Sequence, residues 1–371
     1  MDDFEQHRRR QALLNWYDSH GRTLPWRARQ GVPADPYLVW LSEIMLQQTT
    51  VVTVKSYFRA FTDRWPTLDH LSAAKLDDVL HAWQGLGYYA RARNLHKCAI
   101  TVSKEYGGCF PDNEQELLKL PGIGPYTAAA IAAIAFNRRA APVDGNIERV
   151  FARLLVLEQP APGLRREIAP KLFSLIPEHR PGDFVQALMD LGAMVCTPGK
   201  PRCGICPWSV AEVGGCRALA AERTECYPVK RLKKKKPTRL GVAFWAENGE
   251  GWVFLRRRAE RGLLGGMMEV PSTDWRETPW DLQEVLARVP FKANWRLLPG
   301  VVRHTFTHFH LELTVCIGRV ASSQIEMANE GDVWSPVDGF KDYALPTVMK
   351  KIVCHASVAR EKCADLSTDG L

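Results

Sequence analysis

The chain has 371 residues, 46% of them hydrophobic, with 49 Lys and Arg against 41 Asp and Glu for a formal charge of +8. This composition excludes a disordered or fibrous chain and is ample for two or three globular domains. The positive balance favours an anionic partner, nucleic acid or a membrane surface, and the opening MDDFEQHRRRQALLNWYDSH lacks the apolar centre of a targeting segment.

No apolar run is long enough to span a bilayer, so the expectation is a soluble, cytosolic protein that meets nucleic acid and no membrane. Over residues 4–17, Phe4, Leu13, Leu14, Trp16 and Tyr17 fit a helix packed on a core. The loop HGRTLPWRARQGVPADPY follows, in which Trp26 and Arg27 either plug the core or stack on and hydrogen-bond a base. Residues 37–54 read as one apolar helix with Glu43 in its middle. A carboxylate there either sits on a solvated face or lines a pocket that uses it, because burying it unpaired is costly. Helical periodicity continues over 52–60 and 71–83, and GLGYYARARNL then breaks it. Gly85 and Gly87 open a turn, and Tyr88, Tyr89, Arg91 and Arg93 behind it suit either a surface that grips DNA or a helix start with solvated arginines.

Residues 120–144, LPGIGPYTAAAIAAIAFNRRAAPVD, are the stretch around which the first part is organised. Leu117, Leu118 and Leu120 close one apolar-periodic segment, 121–124 turn the chain, and the alanine-rich 127–136 has good helix propensity. The result is a helix, a glycine hairpin and a helix. Gly122 and Gly124 around Ile123 let the backbone approach a ligand, and the amides opening the second helix favour an anion such as phosphate. The alternative is a helical hairpin whose glycines only turn the chain. Further helices are expected over 146–157, 168–175 and 182–195.

Cys196, Cys203 and Cys206 then stand as C-x6-C-x2-C, with Cys216 following after nine residues. Four thiols in so short a loop suit zinc or an iron-sulfur cluster, and spacing alone does not choose between them. A basic linker follows, almost unbroken over 230–236. Composition changes after it: 240–255 read as two strands around a turn at 248–251, 280–289 as a helix, and VVRHTFTHFHLELTVCIGRV alternates as a strand does. The expected division is an all-helical domain over 1–222 with its cysteine loop at 196–216, a linker over 223–238 and an α+β domain over 239–371.

SEIMLQQTT at 42–50, GLGYYARARNL at 85–95, LPGIGPYTAAAI at 120–131, VDGNIERV at 143–150 and the cysteine run together resemble the helix-hairpin-helix DNA glycosylases, and within them the MutY-type adenine glycosylases. In that family adenine opposite 8-oxoguanine is flipped out of the duplex and its N-glycosidic bond is cut. The resemblance implies that Glu43 is the acid that protonates adenine and that Asp144 stabilises the oxocarbenium-like sugar. Tyr126 stands where relatives resembling endonuclease III carry a Schiff-base lysine, which implies excision without an efficient lyase step. Tyr126 and Asn146 would order sugar or water near Asp144, Leu24, Trp26 and Arg27 would line the adenine pocket, and Gln48 with Tyr88 would wedge the duplex, Thr49 lying beside them on the DNA.

The same resemblance implies a 4Fe-4S cluster acting as a structural pin. The family's last interval is four residues shorter than the nine found here, and that spacing would land on Glu212. An insertion before Cys216 accounts for this, with Cys226 as the fallback ligand. The C-terminal part resembles the MutT-like, Nudix-fold domain of the family, through 255–275 and RHTFTHFHLEL at 303–313. It lacks the G-x5-E-x7-R-E-x-x-E-E pattern, which implies no pyrophosphate hydrolysis. Phe306, Thr307 and His308 match the family's Phe-Ser-His turn that reads 8-oxoguanine, with threonine in place of serine; read without the family, His304, His308 and His310 are alternate-face strand histidines. The implied partner is double-stranded DNA with A:8-oxoguanine or A:G mispairs, met by a monomer. A bifunctional glycosylase for damaged pyrimidines and a non-catalytic damage sensor are the other readings; the absent lysine weighs against the first and the two carboxylates against the second.

Overall fold

The structure, a computed structural model, describes residues 2–29, 31–230, 235–321 and 331–368. The chain forms two compact units, residues 1–74 with 94–233 and residues 75–93 with 234–371. No helix among the described residues is long and apolar enough to cross a membrane.

The first unit is helical. It opens with α1 (Asp3–His20), α2 (Pro36–Leu46), α3 (Val51–Arg64) and α4 (Leu68–Ser72). After α5 (Leu76–Ala82) of the second unit, α6 (Ala90–Glu105) carries the chain back. The hairpin is made by α7 (Glu114–Leu117) and α8 (Pro125–Phe136), and α9 (Gly145–Leu155), α10 (Gly163–Leu175), α11 (Pro181–Met194) and the short α12 (Arg217–Ala220) follow. Side-chain caps fix where several begin: Asp35 accepts from the Tyr37 amide at 2.8 Å and Asp144 from the Ile147 amide at 2.7 Å. Helix α8, alanine-rich and buried from Thr127 to Ala133, is the central post, with α2 and α11 packed on it and α9 packed on α11. Small side chains let these backbones come close, which brings the helix starts together.

Two sequence expectations change here. The single helix expected over 37–54 is two, because Gln48 adopts a left-handed φ of 57° and the Thr50 hydroxyl caps α3 by accepting from the Thr53 amide at 3.3 Å. Phe4 does not join the core: it is 66% exposed, with the Arg8 guanidinium over its ring at 4.3 Å.

The second unit is built on a seven-stranded sheet of order β3-β2-β1-β6-β4, with β5 paired to β6 and β7 to β2. The strands are β1 (Thr238–Glu247), β2 (Val253–Arg257), β3 (Met268–Glu269), β4 (Arg296–Leu297), β5 (Val302–Thr305), β6 (His310–Arg319) and β7 (Val333–Ser335). β1 and β6 run parallel, Thr238 opposite His310 through Glu247 opposite Arg319. Trp245, Leu313, Met349 and Ile352 share its main core, beneath α14 (Thr347–Thr368). The helix expected over 280–289 shortens to α13 (Leu282–Leu286), started by a capping box of Asp281 and Glu284.

The alternation over 301–320 is a hairpin rather than one strand. Phe306 and Phe309, three apart, pack against each other at 4.9 Å, which an extended chain forbids, and the turn closes through Phe306 N–H to the Phe309 carbonyl at 2.9 Å. His308 is therefore a turn residue, not a strand histidine.

Candidate active site

Helix α2 is apolar on nearly every side, so Glu43 in its third turn is buried at 7% exposure. Packing of α2 on α8 sets Glu43 against Tyr126, the second residue of α8, whose hydroxyl donates to the carboxyl. Burial, with the nearby Asp144 charge, pushes Glu43 up to about 7, against the pull of the Tyr126 hydrogen bond and of Arg27. Burial and the two carboxylates likewise hold the Tyr126 phenol well above its ordinary range, so it stays a donor. Residues chosen from distant segments thus share one small site: Glu43, Tyr126 and Asp144 sense one another directly.

Asp144 is the N-cap of α9. Burial raises it too, but donors pull it back: the Ile147 amide at 2.7 Å and the Asn146 side-chain amide at 2.9 Å. Asn146 is itself fixed by Arg149, which donates to its Oδ1 at 2.9 Å and to the Gly192 and Cys196 carbonyls, each at 2.6 Å. A Cβ on Gly192 would lie 2.6 Å from Asn146 Cβ, so only glycine lets α11 pass this close to the start of α9. The two carboxyls are therefore differently supplied: Glu43 accepts from the Tyr126 hydroxyl, and Asp144 from two amide donors.

Beside Glu43 lies a cavity of about 50 Å³ lined by Leu24, Trp26, Arg27, Ser42 and Met189 among others. Its volume is that of a few water molecules, smaller than a base. Trp26 is a buried core residue, edge-on to Phe58 at 5.3 Å, and both it and Arg27 also line this cavity. Arg27 is held there by Asp190, which is fully buried and accepts both Arg27 Nη atoms at 2.7 Å and the Arg22 amide at 2.8 Å. These donors hold the Asp190 carboxyl below its usual range in spite of its burial. Asp190, Arg22 and Arg149 were not singled out in the sequence, yet Asp190 stands inside the apolar QALMDLGAM, the same signal that marked Glu43. Asp190→Asn removes a fully buried counter-charge from two partly buried arginines and should cost roughly 3 kcal/mol of stability, read by urea unfolding.

At the hairpin, Ile123 is buried and donates its amide to the Leu120 carbonyl at 3.2 Å, while Gly122 is exposed at φ 78°. A Cβ on Gly122 would fall 2.7 Å from Asn94 Cβ, whereas Gly124, the N-cap of α8, faces open space. Gln48 is exposed at the break between α2 and α3, and Thr49 donates its amide to the Leu46 carbonyl at 3.2 Å.

In the second unit Tyr88 is 44% exposed at a left-handed φ of 48°, and its hydroxyl is hydrogen-bonded to that of Thr307. Phe306 stacks on Trp275 at 5.6 Å and meets His304 edge-on at 4.6 Å, which anchors the turn and leaves Thr307 and His308 at the surface. Lys236 Nζ donates to the Phe306 carbonyl at 3.1 Å; residues 231–234 of the basic run lie outside the described residues.

The four loop cysteines are neighbours. Burial first, then the charges of Cys196, Cys216 and Cys203, push the Cys206 thiol up to about 12. Arg153 donates to Cys196 Sγ at 3.3 Å, and Cys216 Sγ to the Arg153 carbonyl at 3.4 Å. Cys226 is exposed in a separate 3₁₀ turn, beside Arg223. Among the described residues no three His, Cys, Asp or Glu side chains are placed to hold a metal ion.

Comparison with known proteins follows the same division. Residues 41–174 match the HhH-GPD superfamily of base excision DNA repair proteins, and residues 242–355 match the NUDIX domain. The adenine DNA glycosylase of Buchnera aphidicola (subsp. Acyrthosiphon pisum) is 33% identical over 92% of this chain and 96% of its own. The human adenine DNA glycosylase is 33% identical over 92% of this chain and 73% of its own. Among solved structures, a thermostable thymine-DNA glycosylase superposes with a TM-score of 0.50 at 27% identity, covering 58% of this chain and 97% of its own. The helical part is thus an HhH-GPD fold and the sheet-bearing part a Nudix fold.

Proposed function

The chain belongs to the adenine DNA glycosylase family of DNA repair enzymes, and we propose that it excises adenine paired with 8-oxoguanine or guanine in duplex DNA, as a monofunctional hydrolase. The observation that carries this reading is the buried Glu43, close to neutral pH in its titration, hydrogen-bonded to Tyr126 beside Asp144.

The target base leaves the stack at a cost of a few kcal/mol, with Gln48, Thr49 and Tyr88 filling or flanking the gap and the Gly122–Gly124 hairpin holding backbone phosphate. Adenine enters the pocket of Leu24, Trp26 and Arg27. Glu43, which burial keeps protonated up to about neutral pH, gives its proton to a ring nitrogen as the bond between that base and the sugar breaks, so adenine leaves neutral. Asp144, ionised, stabilises the positive charge that grows on the sugar; water then adds to the anomeric carbon, and the proton it releases returns the Glu43 carboxylate to its acid form. Asn146 holds Asp144, and Tyr126 holds Glu43. Tyr126 offers no amine for a Schiff base, which is why strand cleavage is not part of the reaction.

Phe306, Thr307 and His308 read the opposite base. The exposure of Thr307 and His308 on an anchored turn, beside the Tyr88 hydroxyl, supports that role. Thr307→Ala should reduce the preference for 8-oxoguanine over guanine roughly tenfold, the worth of one hydrogen bond, in the ratio of single-turnover rates on the two duplexes. A helical domain over 1–222 and an α+β domain over 239–371 are supported by family matches that end at 174 and begin at 242, although residues 75–93 group with the second unit.

Cys196, Cys203, Cys206 and Cys216 would hold a 4Fe-4S cluster. The donor set fits: four neighbouring thiols with no carboxylate among them, and each thiolate of such a cluster takes its own iron, so the four need not converge on one point. When bound, the group pins the loop; the hydrolysis itself needs no electron transfer. Cys216 is the fourth ligand rather than Cys226, since it is the thiol that neighbours the others. The enzyme works as a monomer in the cytosol.

The test is single-turnover reaction on duplexes with adenine opposite 8-oxoguanine, guanine or thymine, quenched with or without hot alkali. Adenine release opposite the first two, with strand scission only after alkali, is expected. Scission without alkali at the rate of base release would refute the monofunctional reading, and equal rates opposite thymine would refute the mispair specificity.

A further inference from the structure

Two features of the cysteine loop remain unexplained by the site above: the long interval before Cys216, and a buried guanidinium. The interval folds into a 3₁₀ turn at Ala211–Val213, followed by Gly214 and Gly215 at φ 86° and 61°. This turn closes on α1. A Cβ on Gly214 would fall 2.4 Å from Glu5 Oε1 and 2.8 Å from Arg9 Nη2, so a side chain there would push the ends of both out of their present pairing.

Arg9 is 2% exposed. It donates to Glu5 Oε1 through Nε at 3.0 Å and Nη2 at 2.8 Å, and through Nη2 to the carbonyl of Gly215, the residue before Cys216, at 2.8 Å. Trp208, at the start of the same loop, donates its indole N–H to the Arg9 carbonyl at 2.9 Å. The clamp therefore has two jaws, one on each side of the inserted residues. One donor is left over: Arg9 Nη1 is buried and has no hydrogen-bond partner among the described residues. A buried N–H without an acceptor costs about 1–3 kcal/mol. The guanidinium lies near enough to the Cys216 thiol to act on it electrostatically.

We propose that Arg9 Nη1 donates a hydrogen bond to sulfur of the iron-sulfur site at Cys216, and that the lengthened interval serves to hold Arg9 there. This rests on the cluster reading given above. A 4Fe-4S group on four thiolates is anionic, and each added electron makes it more so. A buried cation that donates to its sulfur favours the reduced form and raises the potential. Glu5, paired with Arg9, opposes part of that effect.

The experiment is redox titration of the full-length purified protein at an electrode, with iron and sulfide content measured on the same samples, for wild type, Arg9→Gln, Arg9→Lys and Glu5→Gln. Arg9→Gln should lower the reduced-to-oxidised ratio about tenfold at fixed potential, about 59 mV for one electron. Arg9→Lys, which keeps the charge but not the fork, should fall between it and wild type, and Glu5→Gln should shift the other way. The opposite sign for Glu5→Gln decides the matter if Arg9→Gln does not fold. Coincident potentials in fully loaded variants would overturn the proposal and leave the cluster intact as a conclusion. Wild type purified without iron and sulfide would overturn the cluster reading itself.

Discussion

Glu43→Gln lowers single-turnover release of adenine by about a thousandfold or more, while duplex binding stays within about threefold. The glutamine keeps the size of the side chain and can still meet the Tyr126 hydroxyl, but it has no proton to give. Stability moves the other way. Because burial holds the folded carboxyl at about 7 against an ordinary 4.5, folding binds a proton that the unfolded chain has already lost in that window. The wild type is therefore relieved of any penalty below about pH 4.5, loses stability as pH rises from there, and carries the full cost above about 7, on the order of 3 kcal/mol. The variant has no such dependence. Urea unfolding should show Glu43→Gln more stable than wild type at pH 8 and nearly equal to it at pH 4. A variant that loses activity and gains stability marks a group placed for chemistry rather than for the fold.

Asp144→Asn separates charge from structure in the same site. Asparagine caps helices as well as aspartate, so it can still accept from the Ile147 amide and α9 should start where it does. The negative charge facing the sugar is gone. Single-turnover release should fall about a hundredfold to a thousandfold, while stability falls by only about 1 kcal/mol, the worth of the hydrogen bond that the Asn146 amide can no longer make to the replaced oxygen. A second consequence has a fixed sign. The Asp144 charge is one of the causes that raise Glu43, so its removal lets Glu43 ionise at lower pH. Loss of activity on raising the pH should thus begin earlier in Asp144→Asn than in wild type.

Only part of the site was legible from local pattern: Glu43 breaks a rule by standing in an apolar helix. Tyr126 and Asp144 break none, since a tyrosine after a glycine turn and an aspartate capping a helix are ordinary, and they were legible only through the resemblance to the glycosylase family. Asp190 broke the same rule as Glu43, and its partners Arg22 and Arg27 come from a loop far away in sequence, so only packing of α11 reveals what it neutralises. The break between α2 and α3 was hidden by apolar periodicity that runs through it, and one left-handed residue, Gln48, decides the matter. The turn at 306–309 was masked in the same way by alternation on both of its sides. In the cysteine loop, spacing showed the thiols and their irregular last interval. Why the interval is long depends on Arg9, some two hundred residues earlier in the chain.

The most direct test of the two-carboxylate account is the pH dependence of adenine release from a duplex with adenine opposite 8-oxoguanine, measured under single-turnover conditions for wild type, Asp144→Asn and Glu43→Gln. The account predicts a wild-type rate that falls as pH rises through about 7, the titration of buried Glu43, with the fall displaced to lower pH in Asp144→Asn. Glu43→Gln should be flat and at least about a thousandfold slower. Release by Glu43→Gln at the wild-type rate, with the same fall near neutral pH, would contradict it, because the proton would then come from another group.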